Sequence, residues 1–233
     1  MAAITAEQLN TLRGFDTPTI CNALELIMPE RRALGFTTDH LHCADPSLPA
    51  FVGFARTATI RAVSASSLPA DQQQAQRIAY YEYVARGAMP GVSVIQDLDP
   101  IAGTGAFWGE VNSAIHKGLG CDGVITNGSV RDLDERAPGF QMLAGKFGPS
   151  HAHVHIVDFG CDVNVFGMQV SDGDLIHADK HGAVVVPVAA VSKIADTVDL
   201  LVRREAVILD CARRDDFDIE KLKAAMAGSK EIH

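Results

Sequence analysis

The sequence predicts a compact α/β domain with a β-rich second half, and three observations carry that reading. A short apolar run at 92–98 (VSVIQDL), a glycine-rich loop, a helix-forming stretch at 107–118 and a second apolar run at 122–127 follow one another in the order of a β-loop-α-β unit. Downstream, HAHVHIVDFG, DVNVFGMQV and DLIHADKHGAVVVP read as successive strands punctuated by Gly, Asp-Gly and Pro. No internal repeat or low-complexity linker divides the chain, so residues 1–233 are read as a single domain.

The elements follow in order. Thr5 with Gln8 three residues later forms a capping-box pattern for a helix over 5–13. A second helix follows Asp16-Thr17-Pro18, because Pro18 suits a first turn and Ile20, Ala23, Leu24 and Ile27 recur at helical spacing. Residues 29–50 have no clean period and are assigned to loop with a short strand. FVGFARTATIRA, 51–62, is rich in Thr, Val and Ile and alternates as a strand. From Pro69 to Arg86 a polar helix is expected to bury Ile78, Tyr81 and Val84. The run ending at 127 stops on Asn127-Gly128, a turn signal, and residues 188–227 return to helical period.

Composition bounds the function. The net charge of −9 and a pI near 5.4 argue against a nucleic-acid backbone or an anionic membrane as the main partner, since both would repel the chain at long range. No stretch approaches the roughly 20 apolar residues of a membrane span, and the N-terminal residues lack the basic start and apolar run of a signal peptide; the expectation is a cytoplasmic protein. The five cysteines contain no C-x-x-C pair and are read as reduced, mostly buried thiols.

Chemistry concentrates after the two strands of the β-loop-α-β unit, the edge where such sheets place ligands. Gly109-Glu110-Val111-Asn112 opens a helix whose free N–H groups favour an anion. Arg131-Asp132 follows the second strand. An Arg fork holds a carboxylate and a neighbouring keto oxygen by parallel hydrogen bonds, which Lys cannot match. An Asp beside it can ligate a hard divalent cation that keeps most of its waters, with Glu110 holding one of those waters from outside. A metal and an Arg flanking a 2-keto acid stabilise an enolate.

On these residues the sequence resembles the RraA-like family, which includes 4-hydroxy-4-methyl-2-oxoglutarate aldolases with oxaloacetate decarboxylase activity. Enzymes of that family carry an acidic residue, twenty intervening residues and then Arg-Asp; here Glu110, residues 111–130 and Arg131-Asp132 reproduce the pattern. The context W-G-E, G-V-I-T-N-G-x-V-R-D and V-x-D-G-D-L-I-H-A-D-x-H-G-A-V-V-V-P agrees, so the resemblance covers a core of about 50–190, with helical extensions at both ends. It implies a swivelling α/β/β sandwich, assembly as a homotrimer or homohexamer, and a site between subunits taking Mg²⁺ or Mn²⁺ and a small 2-keto acid. Position by position, Arg131 would bind pyruvate, Asp132 would ligate the metal, Glu110 would orient metal-bound water, and the backbone of Gly109, Glu110, Val111 and Asn112 would hold the substrate. Glu205 is the nearest candidate for a glutamate drawn from a neighbouring chain. Asn127 stands where many relatives have Asp, and PSHAHVHIVDFG departs from the better characterised aldolases, which leaves the substrate beyond its pyruvyl portion open. Other members inhibit an endoribonuclease without catalysis, but they lack the acidic, twenty, Arg-Asp pattern. The expectation is a metal-dependent lyase acting through a pyruvate enolate; the alternatives are a regulator of an RNA-degrading partner and a sugar-acid dehydratase using the same site.

Other features compete less well. His151, His153 and His155 would share one face if they lay on a strand, but positions i to i+4 span about 13 Å, too far for one ion; a cleft or subunit contact suits them better. His177 and His181 flank a turn and are expected at solvent or an interface. GTGAFWG does not have dinucleotide-loop spacing, and Trp108 is expected to pack that loop on the sheet. No G-x-S-x-G elbow is present.

Overall fold

The computed structural model describes residues 4–232. Helices α1 (Ala6–Arg13) and α2 (Thr17–Ile27) open the chain. Thr5 and Gln8 close the expected capping box, and Asp16 caps α2 through the Thr19 N–H, with Pro18 in the first turn. Strand β1 (His42–Cys43) is the short strand of the 29–50 segment, and β2 (Phe51–Arg61) is the long alternating one. There follow α3 (Ala70–Arg86), β3 (Gly91–Asp97), β4 (Ala106–Trp108), α4 (Glu110–Gly118), β5 (Cys121–Val130), β6 (Gln141–Phe147) and β7 (His155–Phe159). The hairpins β8 (Val163–Val165)/β9 (Met168–Val170) and β10 (Leu175–Asp179)/β11 (Gly182–Val185) precede α5 (Val191–Ala212) and α6 (Ile219–Lys230), which pack on each other.

Nine strands form one sheet with the main order β1-β6-β5-β3-β2-β10-β11; β4 extends alongside β5 and β7 alongside β2. β2, β3, β5 and β6 run parallel, and antiparallel strands flank them. Alternation along the strands sorts the core into layers. Val92, Val94, Ile125, Leu143 and Ile176 face the β8–β9 hairpin, whose Val163, Val165 and Met168 cover that side. Ile95, Val124 and Met142 face the other way, among Tyr80 and Val84 of α3, while Val52, Leu175 and Val184 lie under α1, α2 and α5. Helices on one face and a small β layer on the other make the α/β/β arrangement expected, in one mixed α/β domain. No helix among the described residues is long and apolar enough to cross a membrane, and all five cysteines are free thiols, with only Cys121 fully buried.

Several local expectations need correction. Asn127-Gly128 is not a turn: β5 continues through it to Val130 with a register shift between Thr126 and Ser129. The Asn127 side chain explains this, since its amide accepts the Asp97 N–H at 2.7 Å and donates to the Asp97 carbonyl at 3.0 Å, standing in for the backbone pairing lost at the bulge. The helix expected from 107 starts at Glu110, because Ala106–Trp108 pairs with the end of β5 as β4. Strand β6 (QMLAGKF) is not among the elements expected from the sequence. On α3, Tyr80 and Val84 are buried, Tyr81 is half-buried, and Ile78 is 51% exposed. His177 is fully buried, not at solvent: its Nε2–H is shared between the Leu12 and Phe15 carbonyls and its Nδ1 accepts from the Thr17 hydroxyl. His181 keeps an exposed ring bonded to Asp179.

Candidate functional site

A cleft of ≈ 550 Å³ opens at the carboxyl ends of the parallel strands. The segments after all four contribute: Ser66 after β2, Phe107 of β4 and Gly109 after β3, Arg131 and Asp132 after β5, His151 and His153 after β6. Two carboxylates shape the first two of these segments. Asp99 accepts the N–H groups of Ala62 and Val63 at 2.6 and 2.8 Å; burial alone would raise its pKa, but those bonds hold it below the usual range. Asp97 accepts from Gly103 and Asp99, yet burial dominates there and raises its pKa.

Of the expected constellation, Arg131, Asp132 and the start of α4 meet in this cleft. Asp132 Oδ2 accepts the Glu110 N–H at 3.3 Å, so a carboxylate from the end of β5 occupies the N-terminus of α4, where no side chain caps the helix. Arg131 Nε lies 3.4 Å from the same oxygen, and both side chains remain about a third exposed, at 38% and 35%. Gly109 lets the two approach: a Cβ there would stand 2.4 Å from Asp132 Oδ2 and 3.2 Å from Arg131 Cγ, so the Asp132 carboxylate would have to shift. Asp132 sits in the left-handed region at φ 51°, as does Ala152 at φ 44°; the described residues include just one further non-glycine case, Phe166. Two of three such strained positions therefore line one cleft, and strain of this kind concentrates at working sites.

Val111 and Asn112 line the cleft as expected, and their N–H groups precede the first helical acceptor. The Asn112 side chain is fixed: it donates to the Phe107 carbonyl at 2.5 Å and its Oδ1 accepts the Tyr81 hydroxyl at 2.7 Å. Beneath it, His116 donates Nδ1–H to the Asn112 carbonyl and accepts from Tyr80 at Nε2; burial pushes its pKa down to about 4, so it is neutral. Trp108, fully buried, packs 4.4 Å from that ring and stacks on Phe140, as expected of a residue pinning the loop.

The two glutamates and the histidine run fall differently from a convergent set. The Glu110 side chain is exposed and outside the lining; only its N–H touches Asp132. Glu205 is exposed on α5, no residue of which lines the cleft. His151, His153 and His155 do not share a strand face, because left-handed Ala152 breaks the run: His151 and His153 sit on the loop and enter the cleft, while His155 begins β7 and lines an adjoining groove. Among the described residues no three His, Cys, Asp or Glu side chains converge as a metal-binding group. One carboxylate about a third exposed, whose Oδ1 forms no hydrogen bond among the described residues, suits a hydrated hard cation and not a closed Cys/His site. Sequence reasoning missed the α3 contribution, Gln73, Arg77 and Tyr81; the polar composition of α3 was the available signal.

The model of the RraA-like family, described as aldolase/RraA, matches residues 17–185. An uncharacterized protein of Methanocaldococcus jannaschii is 30% identical over 105 residues, 44% of this chain and 50% of that protein, so the chain spans about half the length of the curated relative it matches. Among solved structures, an uncharacterized protein from Pseudomonas syringae pv. tomato superposes with a TM-score of 0.72 at 17% identity, over 97% of this chain and 96% of the other. RraAS2 of Streptomyces coelicolor, described as an unusual member of the RNase ES inhibitor RraA protein family, gives a TM-score of 0.66 at 22% identity, over 92% and 100%. At these identities the structural likeness is one of fold.

Proposed function

The chain belongs to the RraA-like family, and from that premise we propose that it is a divalent-metal-dependent lyase cleaving a carbon-carbon bond of a 2-keto acid through a pyruvate enolate. The observation that carries this reading is the meeting of Arg131, Asp132 and the start of α4 in an open cleft. Asp132 would hold a hydrated Mg²⁺ or Mn²⁺, which when bound supplies Lewis-acid stabilisation of negative charge on the substrate. Arg131 would grip the substrate carboxylate and keto oxygen through its fork. The N–H groups of Val111 and Asn112, on a helix start held by Tyr81, Asn112 and His116, would fix the keto acid without reorganisation. In a retro-aldol cleavage the C4 hydroxyl loses its proton, the C3–C4 bond breaks, and C3 of the enolate is then protonated; in β-decarboxylation carbon dioxide leaves instead. Glu110 would position the water that carries these protons, reaching inward from its exposed place beside the cleft. Assembly as a trimer or hexamer would bring further groups, Glu205 the first candidate, to the open side.

Pyruvate release from oxaloacetate and from 4-hydroxy-4-methyl-2-oxoglutarate, measured with metal-stripped protein before and after adding Mg²⁺ or Mn²⁺, tests the reading. Metal-dependent release lost in Asp132→Ala supports it; no release under either metal sinks it. The second reading, a regulator of an RNA-degrading partner, draws on the likeness to RraAS2 and predicts that null result together with copurification of the partner. A sugar-acid dehydratase would also fail this assay but would turn over a polyhydroxy acid.

A further inference from the structure

We infer that Arg77 of α3 selects the substrate by an anionic group at the end remote from the keto acid; the inference rests on the lyase reading of the same cleft. Arg77 lines both the main cleft and an adjoining groove of ≈ 310 Å³, and Gln73, one turn earlier on the same helix face, does the same. The two cavities therefore meet at these side chains, which α3 supplies, whereas Arg131 comes from the end of β5.

Charge makes the argument. Arg131 has Asp132 beside it, whereas Arg77 makes no hydrogen bond or ion pair among the described residues. Asp132 is the single acid in the lining; its uncharged polar side chains, Ser66, Gln73, Tyr81, Asn112, His151 and His153, all carry a donor group. In a chain of net charge −9, an uncompensated guanidinium at this place leaves room for an anion. Its charge is felt one turn on along α3: burial raises the pKa of the Tyr81 hydroxyl, Arg77 opposes that rise, and the same hydroxyl donates to Asn112 of α4. The helix is also built for the cleft more than for the core, since α3 is mostly exposed before Tyr80 and leaves Ile78 uncovered. A merely solvated surface arginine would explain its exposure but not its place in both cavities above Gln73.

The test is a pair of keto acids of equal length differing only at the far end: 2-oxoglutarate, with a carboxylate, and 2-oxopentanoate, with a methyl. Binding is measured by calorimetry with Mg²⁺ present, so turnover is not required. Wild-type protein is expected to bind 2-oxoglutarate about tenfold more tightly, Arg77→Gln to bring the ratio within about twofold, and Arg77→Lys to restore part of it. An unchanged ratio in Arg77→Gln, or no preference in the wild type, overturns the inference. If both keto acids bind and the ratio collapses but no pyruvate is ever released, the lyase reading alone falls. If neither keto acid binds, both fall.

Discussion

Two helices in this molecule receive a carboxylate from the end of a distant strand, and the two arrangements behave as opposites. At α2, Asp179 accepts the Thr17 N–H at 3.0 Å, adds the His181 N–H and ring, and is only 8% exposed; next to it His177 uses both ring nitrogens. At α4, Asp132 accepts one N–H at 3.3 Å, keeps an oxygen free, and sits on strained backbone against Gly109 and Arg131. The ingredients match: an acid, a helix start and nearby histidines. What differs is saturation. Where each donor and acceptor finds a protein partner the cluster is a fastener, and where valence is left over it can hold something else.

Substitutions should separate the two. Asp132→Ala is expected to lower metal-dependent pyruvate release by at least about a hundredfold with little change in Tm, while Asp179→Ala costs about 1–3 kcal/mol in urea titrations and leaves turnover per folded molecule near wild type. Equal effects of the two on either measurement would erase the distinction. Gly109→Ala tests the geometry more finely: the added methyl must push Asp132 aside, and kcat should fall about tenfold or more while the fold persists. Arg131→Lys should raise KM because the fork is gone, and unchanged kinetics would contradict its assigned contact.

Acid should weaken both clusters through their histidines. The folded pKa of His116 is about 4 against 6.5 unfolded, and that of His177 is also depressed by burial. Between those values the unfolded chain binds a proton that the folded chain refuses, so stability is full above pH 6.5 and declines as pH falls toward 4. For His116 the loss is on the order of 3 kcal/mol, read as the difference in urea midpoint between pH 7 and 4.5 in the wild type and in His116→Gln; no difference between them would refute it. The raised carboxyl of Asp97 works in the opposite sense, which is why the variant is needed. The smallest effect expected is that of Asn127→Asp, about 1–2 kcal/mol, since a carboxylate cannot donate to the Asp97 carbonyl.

How legible this was from sequence depended on range. The Thr5–Gln8 cap, the order of the β-loop-α-β unit and the Arg131-Asp132 pair are local or nearly so; the cap forms as expected, and the pair meets at the start of α4. Asn127-Gly128 misled because its turn chemistry is real, but two parallel neighbours and the Asp97 amide bond hold the chain extended there. Strand β6 escaped notice with Gly145 and Lys146 interrupting it, and with it went the origin of the His151–His153 loop as the fourth of a set. His177 could not be placed because its partners, Leu12, Phe15 and Thr17, lie about 160 residues away. Glu110 is the case where spacing outran geometry, since its side chain stays outside the cleft of one chain.

The left-handed backbone at Asp132 has a practical bearing on evolution and engineering. Glycine would relax that conformation without strain, and asparagine tolerates it nearly as well, so selection for heat resistance alone would tend to enrich both at this position. Either change removes the charge on which the chemistry would depend. A library screened for robustness first and turnover second would therefore discard its active members early, and a lineage that drifted from catalysis toward pure binding would find position 132 among the easiest to surrender.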